Sequence, residues 1–527
     1  MQRLSAKRKL VIIVGVLLGM LLGALDQTVV GTAMPRIISE LRGMNLYSWV
    51  FTAYMLASTA AVPIFGKLSD IYGRKTFYLL GIGLFLLGSW LSGAAASMVQ
   101  LIIFRGLQGL GGGIMMANSM AIVGDIFPPA ERGKWQGVMG AAFGLASIIG
   151  PVLGGYITDH MNWRWVFYVN LPVGLLALAV LGVALPKPER GVNRQVDYWG
   201  AAALLVAVIP LLLGFSWAGT QYPWLSTPIL GLFALAALGL AAFIWVESRA
   251  AEPIIPLSLF ANPIFTVSAL IVFTTGVGMF GAIMFVPLFM QGVLGITATY
   301  SGLILTPMML SAIFASAISG QIMSRWGRYR ILSVVGTGLV AAGMALFAQM
   351  TVDTPEAVAL RNMVITGLGM GVTMPIFVIV VQNALPYRFM GVVTAAIQFF
   401  RSVGGTVGVA IMGSLMSNRF HREMANLLPP QMGQMIPLDK LQALENPQAL
   451  LNSKGLEAMA RNLPPGMASL LNQVLLKIKV ALATAISQAF WTGTFILLVA
   501  FALSFFLREI PLRRQHHPDH PQESQVQ

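Results

Sequence analysis

Apolar runs long enough to cross a bilayer recur fourteen times along the 527 residues. A helix needs about 20 predominantly apolar residues to span the hydrocarbon core. Windows of that length lie near 10–33, 47–66, 76–95, 98–124, 135–158, 164–185, 198–218, 225–246, 264–290, 300–323, 331–350, 358–384, 391–416 and 484–507. The runs are continuous, without the two-residue alternation of a membrane barrel, and read as helices. Composition agrees: 57% of residues are hydrophobic and 10% charged, against about 25% charged in a soluble domain. The chain reads as an all-α polytopic membrane protein.

The basic residues set an orientation. Arg3, Lys7, Arg8, Lys9, Lys67, Arg74, Lys75, Arg132, Lys134, Lys187, Arg190, Arg194, Arg249, Arg325, Arg328, Arg330, Arg388, Arg508, Arg513 and Arg514 fall on one side of the fourteen spans. The short connections on the other side hold Arg36, Arg42, Arg164 and Arg361. The positive-inside bias predicts both termini in the cytoplasm of a multi-pass protein of the cell membrane. The net charge of +14 then reflects topology and contact with anionic lipid, so nucleic acid is not an expected partner.

Several chemistries are absent. There are 0 cysteines and 5 histidines, three of them (His516, His517, His520) in the tail, so neither a thiolate nor a histidine metal cluster is expected. No phosphate-binding loop with the Gly-Lys-Ser/Thr ending occurs, which argues against direct use of ATP. The spans offer no paired carboxylates and no nucleophile–base set, so an enzyme is not expected.

An internal repeat organises the chain. Gly66, Gly73 and Arg74 follow the second span, and Gly320, Gly327 and Arg328 follow the tenth at the same spacing, 254 residues on. The expected division is a first six-helix half (1–185), an inserted helix pair with its linkers (186–258), a second six-helix half (259–507) and a disordered cytoplasmic tail (508–527). The second half includes an outer segment, 417–481, where Leu438–Leu451 and Met467–Ile478 show helical apolar spacing. These read either as interfacial helices or as a partly ordered loop. Internal repeats mark transporters that bind substrate between halves and rock around it.

The motifs carry a resemblance. They are Leu25-Asp26-Gln27-Thr28-Val29-Val30 through Pro35 in span 1, the loop Gly66–Lys75, Arg105-Gly106-Leu107-Gln108-Gly109 in span 4, Gly150-Pro151 with Gly154-Gly155 in span 5, and Trp163-Arg164-Trp165 with Phe167 before span 6. Over nearly its whole length the chain resembles the fourteen-span drug:proton antiporter branch of the major facilitator superfamily. The resemblance implies the major facilitator fold, with two six-helix halves plus an inserted pair. It also implies export of amphipathic drug-like compounds in exchange for protons, with the span 5 motif tied to antiporters.

Asp26 is the acid placed deep in a span. An intramembrane carboxylate is costly unless paired or protonated and is a functional candidate by default. Arg105 lies at similar depth, counted from the helix ends, and Gln108 stands one turn further on the same face. The three form a candidate proton-coupling site, with the proton as coupling ion and no bound cofactor. A static pair that only holds spans together is the alternative. Loop residues Gly66, Asp70, Gly73 and Arg74, with Asp125 at the end of span 4, read as a cytoplasmic gate or as topology charges alone. Asp70 is expected to accept from a helix N-terminus of the other half, and Arg74 to pair with Asp125. Gly144, Gly150, Pro151, Gly154 and Gly155 give span 5 close-packing positions and a kink.

Substrate contacts are sought among Met115, Asn118, Phe280, Met284, Gln291, Met374, Phe377, Gln398 and Arg401. Methionine-rich aromatic walls adapt to many apolar shapes, though lipid-facing helices share that composition. Arg401 in span 13 has no acid near it in sequence. It either faces a cavity and attracts an anion, or is satisfied by helix carbonyls. The second half holds no acid matching Asp26; some members of the resembled branch carry extra membrane acids in later spans, so a strong preference for divalent cationic drugs is not expected. The alternative function is export of lipids or lipid-linked molecules. Membrane lipids and a small amphipathic substrate are the expected partners of a monomer.

Overall fold

A computed structural model of the chain describes residues 4–42, 46–186, 196–219, 221–296, 305–427 and 465–512. Among them are fourteen helices long and apolar enough to cross a membrane. They are α1 (Ala6–Leu41), α2 (Tyr47–Tyr72), α3 (Arg74–Gly93), α4 (Met98–Ile126), α5 (Pro129–His160), α6 (Trp165–Ala184, broken at Val169), α7 (Tyr198–Trp217) and α8 (Thr227–Glu247). The rest are α9 (Pro263–Gly292), α10 (Thr306–Trp326), α11 (Tyr329–Ala348), α12 (Glu356–Ala384), α13 (Met390–Leu427) and α14 (Pro465–Ser504). All fourteen sequence windows coincide with one of them. With an even number of crossings, the start of α1 and the end of α14 lie on one side, here the terminus side; the opposite side is the far side.

Local chemistry starts several helices. Ser97 Oγ accepts from Gln100 N (3.3 Å) ahead of α4. Asn262 Oδ1 accepts from Ile264 N (2.9 Å) ahead of α9, with Pro263 in the first turn. Each takes up an amide that the helix leaves without an internal partner. The turns α2–α3 and α10–α11 are tight because Gly73 (φ 95°) and Gly327 (φ 69°) adopt positive φ, which favours glycine. The sequence repeat is thus a repeat of backbone geometry.

Packing repeats as well. In the first half α1 packs on α5 and α6, and α4 on α2 and α3; in the second α9 packs on α13 and α14, and α12 on α10 and α11. Between halves, α5 meets α10 and α13 meets α2, two equivalent seams related by the repeat. The inserted pair α7–α8 lies over the second seam. Leu204, Val208 and Leu212 of α7 and Phe243 of α8 share one apolar cluster with Val62 of α2 and Ala395, Phe399 and Val403 of α13. Trp217 stacks edge-on against Trp49 at 5.4 Å between ring centroids, and Trp224 Nε1 donates to Ser414 Oγ (2.6 Å).

The structure corrects the boundaries of segment 417–481. Residues 417–427 continue α13, and Met467–Ile478 belongs to α14 rather than to a separate interfacial helix. α13 has 38 residues and α14 has 40, or roughly 57 and 60 Å at 1.5 Å per residue. Both exceed the ~30 Å hydrocarbon core. No proline interrupts 390–427, and after Gly466 no proline or glycine occurs before Gly493, so nothing local stops either helix at the membrane surface. Leu438–Leu451 and the tail 513–527 lie outside the described residues.

Candidate functional site

Asp26 sits inside the first half, 1% exposed, and faces donors from two other helices. Arg105 Nη1 donates to Oδ2 at 2.5 Å. Gln108 Nε2 donates to Oδ1 at 2.8 Å, and Asn170 Nδ2 to the same oxygen at 3.1 Å. Arg105 and Gln108 are three apart on α4, so one helix face presents both, and Arg105 Nη1 also donates to Gln108 Oε1 (2.8 Å). The Arg105 guanidinium lies 4.4 Å from the centre of the Tyr54 ring. Asn170 also donates to Ser89 Oγ (3.0 Å), which in turn donates to the Phe167 carbonyl (2.8 Å). Every partner of Asp26 is a donor, so the cage complements a carboxylate. Sequence reading found Asp26, Arg105 and Gln108 but missed Asn170, Ser89 and Tyr54. Neutral polar residues inside apolar runs carry no signal unless helix rotation is known.

The terminus-side loop is a second polar centre. Asp70 accepts from the amides of Gly391 (3.2 Å) and Val392 (3.0 Å) at the N-terminus of α13 in the other half, an end that favours negative charge. Arg74 pairs with Asp70 and donates from Nε to Asp125 Oδ2 (3.0 Å). Tyr387 Oη donates to Asp125 Oδ1 (3.0 Å). Gly66 packs on Ala395, where an added Cβ would lie 2.5 Å from the Ala395 methyl. Arg132, read from sequence as a topology charge, belongs here too. It is buried and donates to the carbonyls of Phe127 (2.9 Å) and Gly124 (2.7 Å) at the end of α4, and to Gln382 Oε1 (3.0 Å) of the other half. Lys67 pairs with Glu252 (2.6 Å) beyond α8. On this side the halves are closed.

The glycines of α5 serve two neighbours. Gly133, Gly137 and Gly144 face Gly320, Ala317 and Ile313 of α10, across the seam. Gly150 and Gly154 face Thr28, Val29 and Thr32 of α1. The Gly150-Pro151 step therefore touches the α1 turn that follows Asp26. Thr28 Oγ1 donates to the Leu25 carbonyl at 3.0 Å. Gly155 has open space where a side chain would stand and makes no close approach, unlike the rest of its motif.

The candidate substrate residues do not converge. Met115 belongs to the core of the first half, and Phe377 to the core of the second. Met284 is 59% exposed on the outer surface of α9. Phe280 packs against Gly405. Asn118 is buried and donates to the Ile114 carbonyl (2.8 Å), its Oδ1 having no partner among the described residues. Gln291 is partly buried near the end of α9. Gln398 is buried, with Oε1 likewise unpartnered. Met374 and Arg401 do meet: they line one cleft with Thr275, Gly276, Met279 and Thr373. Among the described residues no group of three or more His, Cys, Asp or Glu side chains is placed to hold a metal.

Comparison with known proteins bears on this geometry. Residues 16–409 match the family described as Major Facilitator Superfamily. The chain is 42% identical over 522 residues to the multidrug transporter protein MdtP of Bacillus subtilis (strain 168), an alignment that covers 98% of the chain and 96% of that protein. It is 39% identical over 413 residues to multidrug resistance protein 3 of the same organism, covering 78% of the chain and 80% of that protein. In fold it is similar to the proton:xylose symporter XylE, with a TM-score of 0.61 at 13% identity, over 96% of the chain and 97% of the symporter.

Proposed function

The chain belongs to the major facilitator superfamily, and from that premise we propose that it exports amphipathic drug-like compounds across the cell membrane in exchange for protons. The observation that carries the coupling is the caged carboxylate. Asp26 is buried and accepts from Arg105, Gln108 and Asn170. An isolated ion in hydrocarbon costs several kcal/mol or more, so the carboxylate has two low-cost states: ionised against Arg105, or protonated without it. Movement of Arg105 away from Asp26 lets a proton bind, and its return drives the proton off. The names of the relatives, a multidrug transporter and a multidrug resistance protein, support drug-like cargo.

Alternating access follows from the two seams. The terminus side is taken as cytoplasmic because of its basic residues, and its latch joins Asp70 to α13 and Arg132 to Gln382. Opening that side breaks these contacts and parts the glycine face of α5 from α10. In the closed form a substrate leaves from the far side. The Gly150-Pro151 contact with α1 places a backbone pivot next to the carboxylate, so rocking of α5 is transmitted to the Asp26 cage.

Ethidium efflux from proteoliposomes under an imposed pH gradient tests the reading. The parent should transport against the dye gradient only while the pH gradient lasts, and Asp26→Asn should not. Uphill transport by the parent without a pH gradient would overturn proton coupling. Movement of fluorescent lipids in place of dyes would move the cargo to the lipid class.

A further inference from the structure

The inserted pair carries two carboxyl groups at its terminus-side end. Asp197 precedes α7 and is half-buried. Its Oδ1 accepts from Gly200 N (2.7 Å) and so caps the helix. Glu247 closes α8 and is 4% exposed. Its Oε1 accepts from the amides of Ile254 (3.0 Å) and Ile255 (3.4 Å) in the connection to α9. The other oxygen of each group, Asp197 Oδ2 and Glu247 Oε2, is buried without a hydrogen-bond partner among the described residues. The two side chains crowd one point: a Cβ on Gly200 would meet Asp197 Oδ2 and, at 3.1 Å, Glu247 Oε1.

The charges around the pair are engaged elsewhere. Lys67 of α2 faces Glu247 but is taken up by Glu252 at 2.6 Å. Arg249 lies over the Trp245 ring, 4.3 Å from its centre. The α13 face packed here presents Ala395 and Phe399, which are uncharged. Two carboxylates sharing a site cannot both ionise cheaply, and a charged oxygen kept from water without a partner is costly. One proton on the pair relieves both costs. The location gives that proton a consequence. Ile254 and Ile255 join one apolar cluster with Val62 of α2 and Ala395 of α13, and Glu252 ties the same connection to α2 through Lys67. Glu247 therefore anchors a strap that touches both halves over the second seam.

We propose that Asp197 and Glu247 bind one proton between them, taken from the terminus side and distinct from any proton on Asp26, and that this proton keeps the connection 248–256 docked on the second seam. The docked form then binds one proton more than the released form, so docking is favoured at low pH and lost as pH rises. Loss of the proton sets two buried charges against each other at Gly200, and the amides of Ile254 and Ile255 part from Glu247. The inserted pair is thereby a pH-responsive clamp across the halves. It stands on the geometry of the pair, whatever the chain transports.

The test is amide hydrogen exchange of the purified full-length protein in uncharged detergent, with no gradient, read by mass spectrometry over residues 248–262. With the intrinsic exchange rate divided out, protection in the parent should fall about tenfold between pH 6 and pH 9, as when the docked form binds its proton ten times more tightly than the released form. Glu247→Gln is neutral and still presents a carbonyl to the two amides, so it should keep the low-pH protection at both values. Asp197→Asn caps α7 equally well and should lose most of the pH response. Glu247→Ala should leave the segment unprotected at both values. Parent protection that does not change with pH overturns the proposal and leaves the pair a structural role. So does a full pH response in Glu247→Gln, which places the titrating group elsewhere, and so does an undiminished response in Asp197→Asn, which removes the sharing. Parent-like protection in Glu247→Ala overturns the docking role. Because no transport is read, failure here leaves proton-coupled export untouched, and the reverse holds.

Discussion

The two halves share helix order, packing partners and seam geometry, yet they handle buried charge in opposite ways. The first encloses Arg105 with Asp26, Gln108 and the Tyr54 ring. The second leaves Arg401 with one carbonyl and a cleft. The terminus-side loops diverge in the same manner. Arg74 is buried against Asp70 and Asp125, whereas Arg328 is exposed and Ser324 bonds to its own helix at the Gln321 carbonyl (2.9 Å). The repeated backbone sets where helices touch; the polar residues laid on one copy decide which half carries the caged carboxylate and the latch.

The sharpest way to break this comparison is to remove each buried arginine. Arg105→Ala strands the Asp26 carboxylate, and breaking a buried pair costs about 3–5 kcal/mol. Thermal unfolding in detergent should show a marked fall, and transport should stop. Arg401→Ala removes a cation that has no ion-pair partner among the described residues, so its unfolding should stay near the parent's. Equal falls in the two variants would end the claim that the halves differ.

The loops give the next largest effect. Arg74→Ala should cut gradient-driven dye transport more than tenfold, since it opens the contact of Asp70 and Asp125 with the other half. Arg328→Ala should cost less than twofold, because an exposed charge is worth little. The assay is initial-rate efflux at matched protein density.

Glycines on one helix offer a finer contrast. A methyl on Gly133 would fall 2.5 Å from the Gly320 carbonyl, so Gly133→Val should hold the terminus side open. Gly155→Val meets open space and should transport as the parent does. The chain has 0 cysteines, so a cysteine pair placed across the α5–α10 seam would report closure by cross-linking yield without background.

The smallest expected effect lies on the far side. Arg164 donates to Glu40 (2.5 Å), and this bond, with a weaker one from Trp163, lowers the Glu40 pKa below its ordinary 4.5. A lowered folded-state pKa stabilises the protein above 4.5 and loses that contribution as pH falls through the folded value. The pair is solvent-exposed, so its contribution is small. Unfolding temperature should differ slightly between parent and Glu40→Gln at pH 7 and converge as the pH falls below the folded-state value.

The sequence made the fold legible because a membrane writes its demand into long stretches: twenty apolar residues at a time, with basic residues on one side. It made Asp26 legible because a carboxylate in such a stretch stands out, and Arg105 and Gln108 because helix periodicity puts them together. Asn170 and Ser89 stayed hidden, being ordinary polar residues whose meaning depends on how α3, α4 and α6 are rotated. Arg132 was read as a topology charge because its reach to Gln382 crosses 250 residues of chain. The hydrophobic candidates Met115, Phe377 and Met284 scattered because burial in a core, lining of a cleft and exposure to lipid all select the same residue types. The far-side extent of α13 and α14 was missed because amphipathic spacing does not distinguish a projecting helix from one lying on the surface.

The central claim, that Asp26 couples a proton to substrate movement, is tested most directly by measuring two fluxes of one variant. Asp26→Asn keeps the size of the side chain and removes its charge. In proteoliposomes it should still exchange labelled ethidium for unlabelled ethidium without a gradient, at a rate near the parent's, while losing uphill transport driven by a pH gradient. Uphill transport retained in Asp26→Asn would contradict the account.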